Sequence, residues 1–166
     1  GTGAIGAEMA RLGNAIGMEV IAWTYNPSDE RAKAMRVTFK SLDDVLSGSD
    51  VVSVHVKLTH ESTGLMGKDQ FAKMKPNSIF LNGARGAVVD TDALVEALNS
   101  GHLMGAGIDV FQEEPTPADH PLFGCDHVVL TPHSADMTPE GVDLLNGGAV
   151  DNVLAYLAGE PHNRVS

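Results

Sequence analysis

The sequence predicts a doubly wound α/β fold: a parallel sheet with helices on both faces. Three observations carry that prediction. Short β-like runs alternate with helical stretches along the chain, a rhythm that joins parallel strands through helical crossovers. The β-like runs are apolar on consecutive positions, as expected where both faces of a sheet are covered. The chain opens on Gly1-Thr2-Gly3-Ala4-Ile5-Gly6, a G-x-G-x-x-G turn of the kind that carries a pyrophosphate at the start of a helix.

Taken in order, residues 4–16 are predicted as a helix, with Ile5, Met9, Leu12 and Ile16 on one apolar stripe at 3.6-residue spacing. Residues 19–24 (E-V-I-A-W-T) follow as a strand. Ser41 precedes L-D-D-V-L with Asp44 in the first turn, the pattern of a capped helix start. Residues 51–55 and 78–82 read as strands. Asp90 or Thr91 caps a helix through Asn99, which ends before Ser100-Gly101. Residues 105–110 and 127–130 are the last two strands. A long helix is predicted from Thr138-Pro139-Glu140, with proline at its first position, toward Leu157. In such a fold the glycine turn follows a central first strand, so a chain opening on Gly1 is expected to be a fragment lacking that strand. Its neighbours' edges would then be left unpaired.

Bulk properties narrow the function. At 166 residues, 43% of them hydrophobic, and with a mean hydropathy of −0.03, the chain reads as one globular domain over residues 1–166. Its net charge of −11, with 11 basic residues scattered, argues against a nucleic-acid partner. No apolar run approaches the roughly 18 residues that span a bilayer, so no membrane is expected. The single cysteine, Cys125, forms no intrachain disulfide, which suits a reducing cytoplasm. An acidic chain still holds an anionic ligand where backbone N–H groups do the holding. Here Ala4 and Ile5 supply those amides, with Gly1 giving the tight turn, Gly3 close backbone approach and Gly6 helix–strand packing.

Titratable groups collect at the C-terminal ends of predicted strands, where open α/β sheets bind ligands. After 78–82 comes Gly83-Ala84-Arg85-Gly86, a guanidinium among small residues with room to grip a carboxylate. After 105–110 come Gln112-Glu113-Glu114-Pro115, with Asp109 just before. After 127–130 comes Thr131-Pro132-His133, placing a residue that titrates near neutrality at a strand end. Taken singly, a turn arginine, an acidic loop and a structural histidine would each be the plainer reading. At the end of strand 19–24, where an acid would bind an adenosine ribose, stands Thr24. A small polar residue there permits a 2′-phosphate, and Arg31 and Lys33 lie close in sequence; Thr24 equally reads as a plain strand end.

Together the motifs resemble the NAD-binding domain of the D-isomer-specific 2-hydroxyacid dehydrogenases. The family's G-x-G-x-x-G looks like Gly1 to Gly6, its N-x-A-R-G like Asn82 to Gly86, its D-V-F-x-x-E-P like Asp109 to Pro115, and its T-P-H like Thr131 to His133. Glu114 follows Arg85 by 29 positions, and His133 follows Glu114 by 19. The resemblance implies an NAD or NADP oxidoreductase acting on a small 2-oxo or D-2-hydroxy acid. In it, Arg85 grips the substrate, His133 is the acid/base, and Glu114 hydrogen-bonds His133 and favours its protonated form. It also implies cofactor contacts from Gly1, Gly3, Ala4, Ile5, Gly6, Thr24, Val56, Gly83, Ala84, Arg85, Asp109 and His133, no metal, and a homodimer. The chain departs from the family at Lys57, where proline is common. Two other readings stand beside this one: a non-enzymatic dinucleotide-sensing or corepressor-like module of the same fold, and a methyltransferase, which leaves three of the four motifs unexplained.

Overall fold

The computed structural model describes residues 1–164 and divides into two compact units, Gly1–Pro132 and a second that begins at His133. In the first unit, α1 (Ala4–Ala15) starts directly from the glycine turn and stops at Gly17, whose φ of +86° suits glycine. Next come β1 (Ile21–Ala22), α2 (Asp29–Met35) and β2 (Thr38–Phe39). The Ser28 hydroxyl caps α2, accepting from the Arg31 amide at 3.2 Å. Then α3 (Leu42–Gly48), β3 (Val51–Val54), α4 (Lys68–Lys73), β4 (Ser78–Asn82), α5 (Thr91–Asn99), β5 (Leu103–Ile108) and β6 (Val128–Leu130) complete the unit. The second unit carries α6 (Pro139–Leu157), with Pro139 at its first position and Thr138 as its cap.

Four strands pair in the order β3-β4-β5-β6, all parallel, and β1 pairs with β2, also parallel. The registers place Val54 opposite Asn82, Asn82 opposite Ile108, and Ile108 opposite Leu130. The C-terminal ends of all four strands therefore form one row, and the loops that follow them emerge along one edge.

The core lies under this sheet. Phe71, Phe80, Leu46, Met66, Met74, Leu94 and Val88 are fully buried. Phe71 of α4 meets Phe80 of β4 edge-on, with ring centroids 5.1 Å apart and planes at 86°, a geometry favoured by the ring quadrupoles. Each such side chain contributes about 1.5–3 kcal/mol by leaving water. Alternate residues of β4 are buried, while the intervening Ile79 and Leu81 are half-buried, as covering on both faces requires.

Several expectations shift. Strand 19–24 contracts to Ile21–Ala22, because among the described residues β1 has a neighbour only in β2. The last strand starts at Val128, since His127 has φ +60°, outside ladder geometry. Asp90 rather than Thr91 caps α5, accepting from the Ala93 amide at 3.1 Å. Strand 105–110 slides back to Leu103–Ile108, so that Asp109 and Val110 follow it. Ser41 does cap α3, accepting from the Asp44 amide.

The apolar stripe on α1 does not enter the core: Ile5 and Ile16 are 66% and 78% exposed, and Gly6 and Ala10 are the helix's buried residues. A cavity of about 770 Å³ separates β1 from β3. Ile21, Ala22 and Val51 to Val54 line it, as do Met9, Leu12 and Ile16 of α1. Among the described residues β1 pairs only with β2 and β3 only with β4, and residues of both line this slot.

Truncating Phe80 to alanine removes the ring at the centre of the core and should destabilise the protein by about 3–5 kcal/mol. A denaturant midpoint unchanged from the parent would show that Phe80 does not hold the sheet to α4.

Candidate cofactor and substrate site

The glycine turn is built by close approach of backbones. A Cβ on Gly1 would stand 2.4 Å from the His55 carbonyl oxygen, and one on Gly6 would stand 2.2 Å from the Gly1 carbonyl oxygen. Neither position admits a side chain without displacing backbone. Gly3, by contrast, has nothing within 4 Å of its Cβ direction, so the turn is open on that side. The Gly3 carbonyl accepts the Ala7 amide at 2.9 Å, which leaves the amides of Ala4, Ile5 and Gly6 outside the helical ladder. With no capping side chain and no acid in the first turn of this 12-residue helix, the N-terminal dipole and free amides face the open side, an arrangement suited to a pyrophosphate.

Beside the turn, the Gly1 nitrogen donates to the Trp23 carbonyl at 3.1 Å. His55 is bonded through Nε2 to the Ser53 hydroxyl at 2.8 Å. Burial lowers its pKa. Val56, two residues beyond β3, is buried. The loop beyond it is clasped by Ser62, whose hydroxyl donates to the Lys57 carbonyl at 2.6 Å. Thr24, half-buried, follows β1.

Along the row of strand ends, Asn82 organises the segment that carries Arg85. Its Oδ1 accepts the Ala84 amide at 3.0 Å, and its Nδ2 donates to the Arg85 carbonyl at 3.1 Å. Arg85 itself is exposed, and one guanidinium nitrogen donates to the Ala84 carbonyl at 2.6 Å. Gly86 lets this segment meet the loop after β5, because a Cβ there would lie 2.0 Å from the Phe111 carbonyl carbon. Gln112 fastens the same contact by donating to the Val89 carbonyl at 2.8 Å. In that second loop the Glu114 carboxylate accepts the Phe111 amide at 2.9 Å. Asp109 accepts the Thr131 hydroxyl at 2.5 Å, tying the end of β5 to the end of β6.

The first unit therefore brings Gly83, Ala84, Arg85, Asp109 and Glu114 to one edge of the sheet, on loops that touch. His133 opens the second unit, two residues beyond Thr131, with a left-handed backbone at φ +52°, a region where histidine is enriched among non-glycine residues. Asn82, Gln112 and Thr131 are positioning groups that motif reading left without roles. Asn82 had a visible signal, a polar residue closing an apolar strand, whereas the Gln112 contact depends on a loop path that spacing does not encode.

The model for the D-isomer specific 2-hydroxyacid dehydrogenase NAD binding domain matches residues 1–135. Glyoxylate reductase of Aeropyrum pernix is 40% identical over the full chain, which covers 50% of that protein. D-3-phosphoglycerate dehydrogenase of Archaeoglobus fulgidus is 44% identical over 84% of this chain and 27% of its own length. Among solved structures, the TT0316 protein of Thermus thermophilus superposes with a TM-score of 0.89 at 40% identity, covering 99% of this chain and 51% of that one. D-lactate dehydrogenase with NAD+ from Lactobacillus jensenii gives 0.90 at 32% identity, covering 100% and 53%. The chain thus spans about half the length of several relatives it matches.

Placing a methyl group at Gly6 should disturb the turn before it disturbs the core. Gly6→Ala should weaken dinucleotide binding by about tenfold or more, read by fluorescence titration with NADH, with the thermal midpoint little changed. Unaltered binding would remove the turn from the cofactor site.

Proposed function

This chain belongs to the D-isomer-specific 2-hydroxyacid dehydrogenase family, and on that premise we propose that it forms the dinucleotide-binding half of an enzyme interconverting a small 2-oxo acid and its D-2-hydroxy acid. The observation that carries the proposal is the aligned row of strand ends, with Arg85 and Glu114 on touching loops and His133 just past the last strand. We propose further that both units belong to one dinucleotide-binding domain, and that the protein works in the cytoplasm as a homodimer.

A bound nicotinamide supplies or accepts the hydride. The chain's own residues bind, orient and move a proton. The free amides of Ala4 and Ile5 hold the pyrophosphate at the open face of Gly3. Thr24 lies toward the adenosine ribose, and Val56, Gly83 and Ala84 line the path along the strand ends. Asp109, steadied by the Thr131 hydroxyl, would meet the nicotinamide carboxamide.

Arg85 presents its fork to the substrate carboxylate and carbonyl, fixing the oxo acid for attack and stabilising charge that grows on oxygen. The main-chain bonds made by Asn82 keep the Arg85 segment from relaxing. His133 gives a proton to the developing alkoxide during reduction and takes it back during oxidation. Glu114 is proposed as the carboxylate that supports the acid/base group in that exchange.

Two substitutions test these roles in the protein that carries this chain. His133→Gln should lower kcat by about 10²- to 10⁴-fold while NADH affinity stays within a factor of about two; turnover at the parental rate would end its assignment as acid/base. Arg85→Ala should depress kcat/KM for the oxo acid by a factor of about 10² or more, well beyond any change in cofactor binding. Parental kcat/KM in that variant would place the substrate carboxylate elsewhere.

A further inference from the structure

Lys57 is a cation just past the end of β3, and the proposed chemistry gives it no task. The chain there lies against the glycine turn: a Cβ on Gly1 would stand 2.4 Å from the His55 carbonyl oxygen and 2.8 Å from the Val56 nitrogen. Lys57 is the next residue. Its main chain is held by Ser62, whose hydroxyl donates to the Lys57 carbonyl at 2.6 Å and accepts the Thr59 amide at 2.8 Å. Ser62 is fully buried. The same loop is anchored on the Arg85 side, because the Gly64 amide donates to the Ala87 carbonyl at 2.9 Å. The Lys57 side chain thus starts from a fixed point between the glycine turn and the segment after β4.

Lys57 is exposed, and no salt bridge among the described residues engages it. Glu61, the acid of the same loop, accepts the Thr59 hydroxyl at 2.8 Å, and the first turn of α1 holds no acid. The charge of Lys57 is therefore uncommitted beside a turn whose amides face open space. The strands run in the order β3-β4-β5, with the turn against the end of β3. A dinucleotide that starts at the turn and reaches the ends of β4 and β5 must cross the end of β3. Its pyrophosphate, held at the turn, is the charged part nearest that crossing.

We propose that Lys57 binds the pyrophosphate of the dinucleotide, adding a side-chain cation to the backbone amides of the glycine turn. This inference rests on the reading of the chain as a nicotinamide-dinucleotide-binding domain. Lysine suits the task because its ammonium is a compact point charge on a flexible stem, with three donors for phosphate oxygens. Proline, common at this position in the family, carries neither charge nor donor, so the contact is particular to this chain. An ion pair made at an exposed side chain is screened by salt, which gives the contact a signature that the backbone amides lack.

The test is a set of binding titrations, independent of turnover, on the protein carrying this chain and its Lys57→Gln variant. NADH is followed by nicotinamide fluorescence, and ADP-ribose and adenosine by their displacement of NADH. At low ionic strength Lys57→Gln should raise the Kd of NADH and of ADP-ribose by about five- to tenfold. Adenosine, which has no phosphate, should stay within about twofold. The loss should shrink as salt is added, and Lys57→Arg should restore most of the affinity. The thermal midpoint should not move, because the substituted side chain is exposed. Unchanged ADP-ribose affinity, or an equal loss for adenosine, would overturn the proposal; unchanged ADP-ribose affinity with a raised KM for the oxo acid would place Lys57 at the substrate instead. If neither NADH nor ADP-ribose bound the parent protein, the underlying cofactor reading would fall and the proposal with it, an outcome distinct from binding that is indifferent to Lys57.

Discussion

The parallel ladder that sets Val54, Asn82, Ile108 and Leu130 in one row is the constraint on which the site depends. A parallel sheet sends every strand in the same direction, so all following loops leave from one edge. A slip of one residue in any pairing would reverse the faces of that strand and carry its loop away from its neighbours. Burial on both faces penalises such a slip: Phe80 and Ile108 are buried in the core together with Leu94 and Met66. The energy that fixes the register is hydrophobic, while the groups it positions are polar.

Polar placement then proceeds through the backbone. Asn82 holds the Arg85 segment through main-chain atoms, and Glu114 and Asp109 each engage a neighbouring loop or strand end. Close approach is permitted by glycine where side chains would intrude. Gly86 meets the Phe111 backbone, and Gly1 meets that of His55. At the N-terminus of α1 the same lack of side chains leaves three amides and a helix dipole directed to open space. The strand-end edge thus offers free helix amides at the glycine turn and, on the loops after β4 and β5, the exposed Arg85 with Asp109 and Glu114, the division that the proposed dinucleotide and oxo acid would require.

Much of this was legible in the sequence because the signals were local. Ser41 and Asp90 are capping residues by type and spacing, Pro139 marks a helix start, and S-I-F-L-N forms β4 with the predicted bounds. Motif order placed Arg85, Asp109 and Glu114 at strand ends, and the ladder brings them to one edge. Elements that escaped prediction carry little pattern. β2 is two residues long, and α4 buries only Phe71. The stripe of Ile5, Met9, Leu12 and Ile16 is a proper helical pattern, but three of its members line a slot between strand edges instead of entering the core. The bond from the Arg31 side chain to the Thr2 carbonyl was beyond reach, since spacing along a helix does not reveal a contact 29 positions away.

Stereospecific hydride exchange with a 2-hydroxy acid is the activity proposed for the protein that carries this chain, on the support of the row of strand ends and the glycine turn. The most direct measurement offers the protein carrying this chain matched D- and L-2-hydroxy acids with NAD+ or NADP+ and follows the absorbance of the reduced nicotinamide. Reduction driven by a D-acid, with the L-enantiomer inert, is the predicted result. Binding of the dinucleotide without reduction by any D-acid in a panel that includes lactate, glycerate, mandelate and 3-phosphoglycerate would contradict it.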